Sequence, residues 1–264
     1  MAQFTTSDDL TLHYQTAGAK HSGPAVVFLN GMTQTTRHWA THTRDLRDER
    51  RVITYDARGQ GQSDNPRQVP TLDDHIDDLL GLLDETDATD VDLVGFSHGA
   101  RIALGAAARG DERLRRLVVC SATAAPTARA RTIVRAWREV LERGGLEAMA
   151  WASLPDIVGE TFLDGHEALL DNIIQASVDR NTEEGTALLL KGLEQFPPLD
   201  DLAGRIDIPT LVISGAEDPL VSEDGARQLA ELCGGTHRRV DDCGHTVPIE
   251  KHDEFQDIIG EFLL

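Results

Sequence analysis

Ser97 stands at the apex of Gly95-Phe96-Ser97-His98-Gly99, between a β-prone apolar run, Val91 to Phe96, and a small-residue stretch through Ala100, Ile102 and Leu104. Strand, sharp turn and helix in that order lift a serine hydroxyl above the C-terminal edge of a sheet, the geometry of a nucleophile elbow. A side chain at Gly95 or Gly99 would block the close backbone approach such a turn needs. A serine hydroxyl is a weak nucleophile, so it needs a base within hydrogen-bond reach and an acid to orient that base. Most of the ten histidines fall on helical or polar stretches, where a solvated ring is the ordinary reading. His245 differs: it lies in Asp241-Asp242-Cys243-Gly244-His245-Thr246-Val247-Pro248, between the last strand and the last helix. For the acid, Ser214 to Val221 offers Glu217 and Asp218. Asp218 is preferred, in a Gly-x-x-Asp-x-x-Val arrangement that turns the aspartate inward, and Glu217 is read as solvated.

The elements that must position these residues follow from hydrophobic patterning. Ala25 to Leu29, Arg51 to Tyr55, Val91 to Phe96, Leu117 to Cys120 and Pro209 to Ser214 are apolar runs of strand length. Such runs suit strands buried on both faces. Leu10 to Gln15 alternates like a half-buried strand, and Thr236 to Val240 reads as a short one. Helical spacing appears at Thr36 to Leu46, Thr71 to Leu83, after Ser97, at Ala226 to Leu232 and from about Ile249. Strands alternating with helices imply a mostly parallel, doubly wound α/β sheet, whose ligands bind at the C-terminal strand edge. The loops after Leu29, Tyr55, Phe96 and Cys120 should share that rim.

From about Thr123 to Gly204 the buried strands vanish. Helical segments succeed one another at Thr127 to Arg143, Leu146 to Leu154, His166 to Val178 and Thr182 to Phe196, with breaks at Leu154-Pro155-Asp156 and Pro197-Pro198. Residues 123–204 are therefore expected to form a helical cap over the rim, and residues 1–122 with 205–264 the α/β core.

A chain of 264 residues buries a full core without disulfides, and its three cysteines show no metal-ligand spacing. The N-terminal residues lack a basic and apolar leader pattern, and no apolar run is long enough to span a bilayer. A cytoplasmic protein is expected. The formal charge of −20 argues against nucleic acid and anionic membranes as partners. Only Lys20, Lys191 and Lys251 are lysines. That bias fits either a high-salt cytoplasm or a high-GC genome, and says nothing about substrate.

Together the residues resemble the α/β-hydrolase family over nearly the whole chain except the cap. Gly95-Phe96-Ser97-His98-Gly99, Asp56-Ala57-Arg58-Gly59-Gln60-Gly61-Gln62-Ser63, and Gly215-Ala216-Glu217-Asp218 with Gly244-His245 carry the likeness. The chain order Ser97, Asp218, His245 is the Ser…Asp/Glu…His order of that fold. Asn30-Gly31-Met32 stands where relatives usually carry His-Gly-x. The resemblance implies an oxyanion hole built from the backbone N–H groups of Met32 and His98, with the His98 side chain turned away from the serine. In the Asp56 to Asp64 segment, Asp56 and Arg58 are expected to pair and hold a rim turn. Arg101, one helical turn past Ser97, is expected to anchor a loop, while similar arginines in menaquinone-pathway lyases of this fold bind a substrate carboxylate. Asn30, Arg101, Trp137 and Trp151 are the candidate substrate contacts; Trp137, Met149, Trp151 and His166 could equally pack the cap.

The implied activity is cofactor-free and metal-free hydrolysis of a small ester, lactone or thioester through an acyl-enzyme, closest to enol-lactonase and small carboxylesterase branches. A lyase using the same triad, or a ligand receptor on the same fold, are the alternatives. Substrate identity and oligomeric state are not readable from the sequence.

Overall fold

The computed structural model describes residues 2–21 and 23–263. Eight strands form one sheet: β1 (Ala2–Thr5), β2 (Thr11–Ala17), β3 (Ala25–Leu29), β4 (Arg51–Tyr55), β5 (Val91–Phe96), β6 (Leu114–Cys120), β7 (Thr210–Gly215) and β8 (Thr236–Val240). Their order across the sheet is β1-β2-β4-β3-β5-β6-β7-β8. β1 pairs antiparallel with β2 and β2 with β4, while every pair from β4 to β8 is parallel. This is the α/β-hydrolase fold, with the doubly wound sheet that the alternating pattern predicts. β1 has no counterpart in the sequence reading: four residues with polar neighbours are too short to show a period.

Both faces of β3, β4, β5, β6 and β7 are buried over most of their length, which explains their apolar runs, while the edge strand β8 is largely exposed. Along β3, Val27 and Leu29 enter one core with residues of α2 (Leu72–Glu85), α3 (His98–Ala108) and α9 (Glu223–Leu232). Val26 and Phe28 enter the other, with Phe255 and Ile259 of α11 (His252–Leu263) and Leu46 of α1 (Ala40–Leu46). α2 starts where Thr71 caps it: the Thr71 hydroxyl accepts from the Asp74 N–H and the Asp74 carboxylate accepts from the Thr71 N–H.

Between β6 and β7 the chain runs through α4 (Ala128–Ile157), α5 (Glu160–His166), α6 (Leu170–Val178), α7 (Glu183–Gln195) and the short α8 (Asp200–Ala203). Gly145, at φ 80° and ψ −178°, breaks α4 into two helices, close to the break the sequence reading places before Leu146. The expected stop at Pro155 does not occur; α4 continues to Ile157. Pro155 removes one donor in the last turn, and Ala150 and Leu154 there are held by packing on Ile174 of α6. Among the described residues no helix is long and apolar enough to cross a membrane, and no group of three or more His, Cys, Asp or Glu side chains is placed to hold a metal ion.

Candidate active site

β5 ends at Phe96 and α3 starts at His98, which leaves Ser97 alone to make the turn, at φ 51° and ψ −111°. A non-glycine residue in that region costs on the order of 1–3 kcal/mol, and strain of this kind concentrates at functional sites. The neighbours enforce it: the Ser97 N–H donates to the Cys120 carbonyl at 2.8 Å, and a Cβ on Gly99 would lie 2.5 Å from the Leu29 carbonyl.

Two further loops close on the serine. The one after β7 carries Asp218, whose Oδ1 accepts from the N–H groups of Leu220 (2.8 Å) and Val221 (3.0 Å). That fixes the carboxylate and leaves Oδ2 for the His245 Nδ1, 2.7 Å away. The loop after β8 carries His245, whose Nε2 lies 2.8 Å from the Ser97 Oγ. The imidazole packs on Phe96 at 5.3 Å between centroids, and the His245 carbonyl accepts from the Ser121 hydroxyl at 2.7 Å. With Nδ1–H donating to the carboxylate, Nε2 is the acceptor for the serine O–H. The two loops touch directly: a Cβ on Gly215 would fall 1.9 Å from the Gly244 carbonyl oxygen.

The remaining predicted residues separate into groups. Glu217 is exposed but not idle, since its carboxylate accepts from the Glu160 N–H at 2.9 Å. Asn30 does not line the cavity above Ser97: its amide donates to the Tyr55 carbonyl and accepts from the Trp39 indole, both at 2.8 Å. It is a buried strut under the Gly31-Met32 turn, which the Gln60 amide and the Gln34 side-chain carbonyl also hold. Among the described residues the Met32 and His98 backbone N–H groups have no protein acceptor. Arg58 pairs with Asp78 (2.7 and 2.6 Å) and Asp8 (3.0 Å) rather than with Asp56. Asp56 instead accepts from the Thr36 and Gln62 N–H groups, so the rim turn is held by backbone donors. Trp137 packs inside the insertion with its indole donating to Asp156, and Trp151 is 39% exposed on the surface; neither lines the cavity.

A cavity of about 500 Å³ opens above Ser97 between the rim and the inserted helices. Ala130, Val134, Leu193, Phe196, Leu220 and Val221 make most of its wall apolar. Arg101 and His98 line it beside the serine, and Arg131, Arg135 and Arg138 reach it from α4. The Arg101 guanidinium is buried and forms no ion pair among the described residues, and burial pushes its pKa down to about 10. The expected loop anchor is weak: Nη2 reaches the Pro197 carbonyl at 3.4 Å.

Two residues that the sequence reading did not single out complete the surroundings. Glu250, on α10 (Val247–Glu250), accepts from the Gly159 and Gly244 N–H groups through one oxygen and from the Thr246 N–H and hydroxyl through the other. His75 is fully buried on α2, against His98. Its place between Leu72 and Leu79 on the apolar face of that helix was the available signal.

Comparison with known proteins agrees with this architecture. The family model described as alpha/beta hydrolase fold matches residues 24–252. The chain belongs to the α/β-hydrolase family. It is 27% identical to 3-oxoadipate enol-lactonase 1 of Acinetobacter baylyi, over 98% of this chain and 95% of that one. It is 28% identical to a putative 2-succinyl-6-hydroxy-2,4-cyclohexadiene-1-carboxylate synthase of Bacillus subtilis, over 92% of this chain and 91% of that one. Among solved structures, the enol-lactonase of Burkholderia xenovorans superposes with a TM-score of 0.91 at 26% identity, with 99% of each chain covered. A malate-bound esterase of Thermogutta terrifontis superposes at 0.88 and 26% identity, covering 99% of this chain and 97% of that one.

Proposed function

We propose that this chain is a serine hydrolase acting on a small ester, lactone or thioester. The continuous hydrogen-bond chain from the Ser97 Oγ through His245 to Asp218, opening into an apolar-walled cavity, is the observation that carries this reading. His245 takes the serine proton as Ser97 attacks the carbonyl, and Asp218 stabilises the imidazolium that forms. The Met32 and His98 N–H groups receive the developing oxyanion; a donor in that position is worth about 3–4 kcal/mol of transition-state stabilisation. His245 then protonates the leaving alcohol, and a water activated by the same ring releases the acid from Ser97. No cofactor is required by any of these steps. Enol-lactonases and esterases among the similar proteins support an ester-type bond.

Arg101 adds a second element: a buried, unpaired cation in the cavity wall suits a carboxylate on the substrate. That same cation favours one other reading, an elimination begun by the same triad on a carboxylate-bearing substrate, as the synthase name of the Bacillus subtilis relative suggests. Fluorophosphonate labelling with intact-mass detection tests the nucleophile, followed by turnover of short-chain esters, lactones and thioesters. An adduct on Ser97 is expected; folded protein without one overturns the mechanism. Product analysis separates the two readings, since only hydrolysis incorporates water.

A further inference from the structure

Along α3, His98, Arg101, Gly105 and Ala108 follow one another at helical spacing and form a single stripe. The first two line the cavity above Ser97. The last two line a second cavity of about 660 Å³, which Leu72 and Ile76 of α2, Gly192 of α7 and Leu202 of α8 also enclose. Among the described residues only Phe196 lines both cavities; Pro197 faces the second and Pro198 the first. The strap Phe196-Pro197-Pro198 therefore stands between them, over the stripe where Arg101 gives way to Gly105.

The sequence makes this strap a loosely tied one. A residue before proline is driven out of the helical region, so Phe196 sits at φ −59° and ψ 137° and α7 ends at Gln195. The two prolines bring no N–H of their own. Among the described residues the backbone of 196–198 takes part in one hydrogen bond, the 3.4 Å contact from the Arg101 Nη2 to the Pro197 carbonyl. Firm tethering resumes only at Leu199, whose N–H donates to the Ala124 carbonyl at 2.8 Å. What holds the strap down is the Phe196 ring, stacked on His98 at 5.7 Å and 29° and edge-on to His75 at 6.0 Å and 71°. Turning that ring aside breaks packing and leaves the backbone hydrogen bonds of the fold intact.

We propose that the second cavity extends the acyl site: the Phe196 ring turns aside for a neutral acyl chain too long for the first cavity, and the distal part of that chain lies over Gly105 and Ala108. The proposal rests on the hydrolase reading for what is cleaved, but not for what is bound. His245 must protonate the departing alcohol and enters from the β8 side, whereas α3 packs on β3, β5 and β6, away from β8. The part of the substrate that runs along α3 is thus the part that stays on Ser97. Beyond the strap the walls named above are apolar, and Arg109 at the rim is already paired with Asp73 at 2.7 Å, which suits an uncharged chain. From Ser97 to Gly105 the helix rises about 12 Å. An extended chain of about ten carbons, with bonds near 1.5 Å, spans that length. Phe196 is therefore the residue that sets chain-length selectivity, and esters of medium-chain acids join the small esters as substrates.

The test compares p-nitrophenyl esters from acetate to dodecanoate by kcat/KM within each variant. General damage to fold or triad then cancels in the ratio of decanoate to butyrate. Each methylene moved from water to an apolar wall strengthens binding about fourfold, so two beyond the strap already give about tenfold. Phe196→Ala is expected to raise the ratio at least tenfold, chiefly through KM. Ala108→Phe, which fills the second cavity from the last turn of α3, should lower the ratio about tenfold in the native chain and cancel the gain in Phe196→Ala. A gain that survives this plug means that Phe196→Ala only enlarges the first cavity, and it overturns the proposal. An unchanged ratio in Ala108→Phe does the same. A second readout needs no turnover. Ser97→Ala protein is irradiated with methyl decanoate carrying a diazirine at its terminal carbon, and the crosslinked peptides are mapped by mass spectrometry. Crosslinks within residues 70–76, 105–109 or 202–205 are expected. Crosslinks confined to the first cavity, or none at all, overturn the extension. Because this arm reports binding whether or not a fluorophosphonate labels Ser97 in the native chain, failure of the extension and failure of the hydrolase reading remain distinguishable.

Discussion

The two ends of the cavity are built on opposite principles. At the serine end the three aligned side chains have found their partners inside the protein: Asp218 holds two backbone donors and His245, and His245 reaches Ser97. At the Arg101 end, about one helical turn along α3, the ring nitrogens of His98 and of His75 behind it have no partner among the described residues, and Arg101 has only a 3.4 Å bond from Nη2 to the Pro197 carbonyl. The groups at one end are already paired with one another, whereas those at the other end are left largely without partners.

Breaking the satisfied end has the largest expected effect. Ser97→Ala and His245→Ala should each lower kcat by about 10⁴–10⁶, Asp218→Asn by about 10⁴, and combinations little further, because the three act as one unit. Near-native turnover in Asp218→Asn would move the orienting role to another acid and dissolve the comparison at its first term. Removing the charge at the open end should act differently. Arg101→Met is expected to raise KM about a hundredfold for an ester bearing a carboxylate, in line with 2–5 kcal/mol for a desolvated charge pair. KM for a neutral ester of equal length should change only a few-fold. Equal losses on both substrates would show that Arg101 supports the fold rather than selecting the ligand.

The open end also carries a cost in acid. His98, and His38 outside the cavity, are both depressed from 6.5 to about 4, chiefly by burial, and burial lowers His75 as well. Folded-state values below the unfolded one mean that the unfolded chain takes up protons first. Their contribution is therefore intact above pH 6.5 and is lost as pH falls toward 4. Each fully developed shift of this size is worth about 3 kcal/mol by linkage. Urea midpoints measured across that range should fall, and less steeply in His98→Phe; a parallel fall in both would remove the burial argument. The smallest effect is electrostatic. An overall charge of −20 repels an anionic substrate, and Arg131 and Arg135 at the cavity mouth offset that locally. Arg135→Glu should lower kcat/KM for the anionic ester several-fold at low salt, and much less near 0.15 M, where the Debye length is about 8 Å. A neutral ester should not respond.

What the sequence revealed follows the same division. Ser97, Asp218 and His245 were legible because strand ends have signatures: apolar runs close the sheet, and the loops after them must share one rim. The helices of residues 128–203 were legible by period, apart from the stretch across Pro155. The lining of the cavity was not. Trp137 and Trp151 attract notice as large aromatics in the insertion, yet helix rotation turns one inward and the other to solvent. Asn30 sits at the right turn but faces Tyr55 and Trp39. His75 and His98 come together across two helices, and no linear spacing reports a contact of that kind. An unpaired buried atom is visible only once all its neighbours are known.

Glu250 bears on how this protein could be re-engineered. Its single carboxylate fastens Gly159, at the far end of α4, to Gly244 and Thr246, which flank His245. The helices of the insertion could be exchanged for those of another family member to change what enters the cavity. The junction at Val158 to Glu160 could not be exchanged with them, because its backbone is bolted to the loop that carries the base. A chimera joined on the wrong side of that bolt would acquire a new pocket and a misplaced histidine together.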